Sequence, residues 1–240
     1  MKAGRRRIAV AVIGGLTTVS ALGCHWQLQR YRQSSFRWNR IEEQLRRFEP
    51  ARLPDASSLR RDNTAEWEYL LVTVRGRFLP HARAVLRAAD GRLGYFLLQL
   101  FETVDGRRLF VNRGWIPREM REAPEVAAPA GEVELSGILK KNESWEVKEA
   151  HRRALQRAAE EHLIDLERLG AETAGAHAEA YLERMVANGQ PIQPLYPFPA
   201  TAERYARPYL TPRRHLEYAC FWATCAGFGL LYALKLLRGA

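Results

Sequence analysis

The stretch IAVAVIGGLTTVSALGCHWQLQ, residues 8–29, contains no Asp, Glu, Lys or Arg, and its reading decides the fold. Its 22 residues would rise ~33 Å as a helix, enough to cross a hydrocarbon core. A second uncharged run, YACFWATCAGFGLLYAL, residues 218–234, has 17 residues and sits near the lower limit for a span. Trp26 stands near the end of the first run and Tyr31 just after it, and Tyr218 and Trp222 open the second. Such rings favour the headgroup zone, so the two runs share a plausible aromatic belt on one side.

These features predict a membrane-anchored α+β protein. Two transmembrane helices, at 8–28 and 215–235, flank an extracytoplasmic domain at 29–214. A basic head at 1–7 and a tail at 236–240 lie on the other side. Lys2, Arg5, Arg6, Arg7, Lys235 and Arg238 favour a cytoplasmic location for both termini, which makes the chain multi-pass with its main domain outside. SALGC, ending at Cys24, has the outline of a lipoprotein cleavage box, with Ala21 smaller than the usual aliphatic residue. Lipidation at Cys24 is the competing reading of this segment.

The chain carries 37 basic and 27 acidic residues, a net charge of +10. The arginines gather at the borders of the apolar runs and along helical stretches, without the interleaved aromatics that bind single-stranded nucleic acid. Lipid phosphates fit that placement, and nucleic acid does not. The cysteines, Cys24, Cys220 and Cys225, lie in or beside the apolar runs, so no disulfide framework holds the middle.

After the first span, Trp38, Ile41, Leu45 and Phe48 recur at helical spacing, and Pro50 and Pro54 end the pattern. From Trp67 to Lys140 the chain reads as five short antiparallel strands, a compact sheet or small barrel. Asp90-Gly91 and Asp105-Gly106 mark hairpin turns, and Gly76 marks a bulge or bend. His81 falls beside Pro80 in a turn. RRLFVNRGWIP, residues 107–117, is a strand whose end combines Gly114, Trp115 and Pro117. Gly114 frees the backbone there, Pro117 ends the ladder, and Arg113 is placed to stack on Trp115 or another ring. Residues 147–188 read as a helical insert, one helix over 147–170 and a second over 174–189. Prolines at 191, 194, 197, 199, 208 and 212 exclude regular ladders in the return to the second span.

No glycine-rich phosphate loop, zinc spacing or nucleophile elbow is present, and His151, His162 and His177 are spaced too widely to suggest a shared metal. RRHLEYACFW, residues 213–222, stands out. His215 lies at the mouth of the second span beside Arg213 and Arg214, with Trp222 about two turns on, on the same face. A neutral imidazole is a good axial ligand for haem iron, and guanidinium groups clamp carboxylates such as haem propionates. An interfacial cluster of snorkelling side chains accounts for the same residues.

Taken together, WQLQR at 26–30, GRFL at 76–79, VNRGWIP at 111–117 and HLEYACFW at 215–222 resemble the Surfeit locus protein 1 family of cytochrome c oxidase assembly factors. The residues that carry the resemblance are Trp26, Gln27, Arg30, Gly76, Asn112, Arg113, Gly114, Trp115, Pro117, His215, Tyr218 and Trp222. Residues 147–188 match no motif of the family, and its usual Trp-Phe pair is Trp222-Ala223 here. The resemblance implies a non-enzymatic protein of the bacterial inner membrane, with its β-rich domain in the periplasm. It implies binding of haem a, with His215 on the iron, and delivery to oxidase subunit I; Arg213, Arg214 and Trp222 are the side chains that spacing sets around that histidine. Subunit I, haem a synthase and the bilayer are the implied partners. A cofactor-free scaffold for an oxidase assembly intermediate is the alternative.

Overall fold

The computed structural model describes residues 2–47, 50–89, 91–121, 127–158, 161–173, 175–186, 196–201 and 211–238. The chain forms two units, one of residues 41–206 and one of the two terminal segments, 1–40 and 207–240.

The first apolar run belongs to one unbroken helix, α1 (Lys2–Arg47), about 69 Å long at 1.5 Å per residue. The expected amphipathic stretch after residue 29 is thus its continuation. Ile41 packs on buried Tyr69, Leu71, Ile138, Met185 and Ala200, whereas the side chains of Leu45 and Phe48 lie outside the described residues.

The domain is built on β1 (Ala51–Arg52), α2 (Thr64–Trp67), β2 (Leu71–Ala89), β3 (Arg92–Thr103), β4 (Arg108–Pro117) and β5 (Glu132–Lys141). It continues with α3 (Glu149–Gln156), α4 (Leu166–Ala171), β6 (Ala180–Val186) and β7 (Ala200–Thr201). The pairings run β2–β3–β4–β6–β5, and β5 returns to β2, so five strands close into a barrel. Closure removes the open edges that would otherwise invite strand addition. All five strands contribute to one apolar cluster, including Val72, Val74, Phe101, Leu109, Val111, Leu135, Leu139 and Leu182, which fills the ring. Trp67 joins it, with its indole N–H donating to Arg60 O at 3.0 Å.

Four expectations are corrected. The two strands read on either side of residue 80 are one long β2, with Pro80 and His81 at its register shift and not in a turn. Between the pairs Phe78–Phe101 and Ala82–Gln99 the extra residues of β2 leave the ladder, which is where a proline costs no strand hydrogen bond. The Gln99 amide donates to Leu79 O at 2.8 Å and satisfies a carbonyl freed there. Second, the ring is mixed, because β4 and β6 run parallel.

Third, the insert 147–188 is only partly helical. Residues 180–186 form β6, although Ala, Glu, Leu, Arg and Met there favour a helix. The gap between β4 and β5 decides otherwise. Ala180 and Leu182 bury in the barrel core while Tyr181 buries on the opposite face, a period of two that only a strand supplies. In place of the helix expected over 147–170, the described residues hold α3 and α4. Leu86 N–H donates to Glu161 O at 2.6 Å, and Asp165 caps α4 at Arg168 N–H. Ile164, Leu166 and Leu169 thereby cover Val85, Leu98, Leu100 and Phe110. Fourth, the proline-rich return lies largely outside the described residues, but Ala200–Thr201 pairs with β6, so it does contain a short ladder.

The second unit is a helical hairpin. Its return arm is α5 (Pro212–Arg238), and both arms are long and apolar enough to cross a membrane. On α1 the less exposed positions Arg6, Val10, Ile13, Thr17, Ser20, Cys24, Gln27, Tyr31 and Ser34 recur every three or four residues. That spacing is the seam of two antiparallel helices packed by their side chains. Contacts follow it: Thr17 against Gly229, Gly23 against the Trp222 ring, and Arg6 Nη2 donating to Leu237 O at 2.8 Å. Ile8, Val12, Leu16, Val19, Leu22, Phe221, Phe228 and Leu231 point away from the seam and are exposed, as lipid-facing side chains are.

Candidate functional site

In the hairpin, His215 comes together with Gln27. His215 Nδ1 stands 2.9 Å from Gln27 Oε1, and Gln27 is buried at 8 % exposure. The contact joins a ring nitrogen, which can donate or accept, to the side-chain amide of Gln27. Among the described residues nothing hydrogen-bonds Nε2. Arg213 and Arg214 stand in the same first turn of α5, largely exposed, and both donate to Glu217, at 3.2 and 3.1 Å. Two guanidinium groups on one carboxylate leave surplus positive charge beside the imidazole. Trp222 lies on the His215 face with its ring on Gly23, and Tyr218 is exposed.

The N-terminal segment 26–30 divides by helical phase. Gln27 turns into the seam. Trp26 and Arg30 turn out of it, with the guanidinium 5.6 Å from the ring centroid. Sequence spacing places His215 at the head of its helix but cannot show that Gln27 is its partner, since 188 residues separate them.

In the barrel domain, residues 112–117 form a closed structural unit. Asn112, Arg113 and Trp115 are buried, and β4 gains one residue over β3 between the pairs Leu98–Asn112 and Phe96–Trp115. That extra residue is a β-bulge, with Gly114 at φ +135° and its N–H on Asn112 Oδ1 at 3.1 Å. Beyond the bulge Trp115 exchanges two backbone hydrogen bonds with Phe198, of 2.8 and 2.7 Å. Its indole lies over Gly94 and donates to Arg87 O at 3.2 Å. Gly94 escaped the sequence reading, since nothing local marks a glycine whose task is to leave room for a ring one strand away. Gly76, in β2, likewise has no room for a side chain, because a Cβ would stand 2.0 Å from Glu102 O.

Arg113 donates to Gln99 Oε1 at 3.0 Å and to Ala127 O at 2.8 Å, and stacks on Phe78 at 5.3 Å and not on Trp115. Burial, and then the charge of Arg184, pull its pKa down to about 10, so it remains a cation at neutral pH. Among the described residues no group of three or more His, Cys, Asp or Glu side chains is placed to hold a metal ion.

A β-barrel in one unit and two paired apolar helices in the other, with His215 held across the helix pair, fit the class of membrane-anchored proteins. A family model described as the SURF1 family matches residues 15–227, and the chain belongs to that family, the assembly factors of cytochrome c oxidase. The family's members are assembly factors and not catalysts, and the two apolar helices fit a membrane-anchored protein. No curated protein matches the chain.

Proposed function

We propose that this protein binds haem a through His215 and assists its insertion into subunit I of a haem-copper oxidase. It works from the bacterial inner membrane, with both termini cytoplasmic and the barrel domain periplasmic. Haem a synthase is the corresponding donor. The observation that carries this reading is the His215 ring itself, with Nδ1 2.9 Å from Gln27 Oε1 and, among the described residues, no hydrogen bond to Nε2.

That donor set fits a haem. His215 Nε2 would hold the iron, Arg213 and Arg214 would meet the propionates, and Trp222 lies along the same helix face. When bound, the haem supplies a coordination position and two carboxylates. The chain supplies a fixed imidazole and excess positive charge at a membrane border, where lipid excludes water on the exposed faces.

Full-length protein purified from cells that make haem a is expected to carry a haem spectrum, which His215→Ala largely loses. Unchanged loading in that variant removes His215 from the mechanism. Haem-free wild type that still co-purifies with subunit I replaces this reading with the cofactor-free scaffold.

A further inference from the structure

We propose that Gln27 is the positioning residue for His215: its side-chain oxygen holds the proton on Nδ1 and so leaves Nε2 as the ring's available lone pair. The inference rests on the haem reading only for what Nε2 binds; the tautomer and its cause are properties of the hairpin alone.

Free imidazole places its proton by solvent, and a ring in a helix seam takes the tautomer that its neighbour dictates. Gln27 is that neighbour. It is the most buried polar residue on its stretch of α1 besides Ser20, and it meets Nδ1 at 2.9 Å. Ala219, one turn beyond His215, is buried at 2 % exposure and adds no competing polar group. The choice of an amide is chemically specific. A carboxylate at 27 would also accept from Nδ1, but it would bring a charge into an apolar helix pair. Gln27 fixes the ring without charge and leaves Nε2 a neutral donor. Such a donor binds a metal and also releases it, which suits delivery better than permanent storage.

The test reads the proton directly. Full-length protein with 15N-labelled histidine is studied in detergent by long-range 15N–1H correlation, with His215 assigned by its loss in His215→Ala. In wild type His215 is expected in the Nδ1–H form. Gln27→Leu is expected to shift it to the Nε2–H form preferred by a free imidazole, and Gln27→Glu to restore Nδ1–H. Haem titration of the same three proteins adds a second readout, a loss of roughly tenfold or more in affinity for Gln27→Leu and recovery in Gln27→Glu. An Nε2–H ring in wild type, or a tautomer indifferent to Gln27→Leu, overturns the assignment. Because the tautomer is read without haem, it decides the role of Gln27 even where wild type binds none, and that second result would strike the haem reading alone.

Discussion

Gly114→Ala is expected to cost the barrel domain about 3 to 5 kcal/mol, enough to leave most of it unfolded at modest temperature. Two independent causes add. At φ +135° an L side chain is strained by about 1 to 3 kcal/mol wherever it sits. In addition, a Cβ would stand 2.3 Å from Phe198 O and 2.5 Å from Phe198 C, backbone atoms that cannot rotate aside. Moving them breaks the Trp115–Phe198 pair, two hydrogen bonds worth about 0.5 to 1.5 kcal/mol each. Gly131→Ala separates the causes, because Gly131 has φ +81° but no atom within 4 Å of a Cβ. It is expected to lose only about 1 to 2 kcal/mol. Tryptophan fluorescence of the full-length protein during thermal unfolding in detergent measures both. Equal losses would show that the approach of Phe198 is unimportant.

What the chain discloses by itself follows the range of the interactions. The two apolar helices are legible because their signal is composition within a single segment, and the hairpins at Gly91 and Gly106 because a turn needs only neighbours. Those glycines take φ +75° and +81°, the left-handed backbone that an Asp-Gly pair announces. Residues 180–186 mislead because their helix propensity is local and their strand is imposed by the gap between β4 and β5. The unusual end of 107–117 is visible as a string, yet its partner Phe198 lies in a proline-rich stretch that offers no pattern. The same limit governs the hairpin: His215 is conspicuous at the head of α5, whereas Gln27 is one polar residue among several after a span. Only the three- and four-residue seam, continued on both helices, brings the two together.

Arg113→Ala is expected to destabilise the barrel domain by about 3 kcal/mol, and Arg184→Gln to change it by less than about 0.5 kcal/mol or to stabilise it. The two residues look alike in sequence. Along β4 the inward positions run Leu109, Val111, Arg113, and along β6 they run Ala180, Leu182, Arg184. The register Val111–Leu182 and Asn112–Glu183 brings the two arginines level on adjacent strands. Arg113, at 4 % exposure, is held by Gln99, Ala127 and the Phe78 ring, and its removal leaves the buried Gln99 oxygen without this donor and uncovers a ring face. Arg184 is half-exposed, and burial lowers its pKa. Its charge is felt by Arg113 as repulsion. Arg113→Lys is expected to recover only part of the loss, since an ammonium cannot reproduce a planar fork with a face stacked on phenyl. The pH dependence has a definite sign. A base whose folded pKa lies below its unfolded value carries its full penalty at neutral pH and is relieved only as pH rises through about 10. The cost of Arg113→Ala is therefore expected to be the same at pH 6 and pH 8, and to change only in the alkaline range. Unfolding midpoints at these pH values measure it, and a loss that grows between pH 6 and pH 8 would assign the stabilisation to another titrating group.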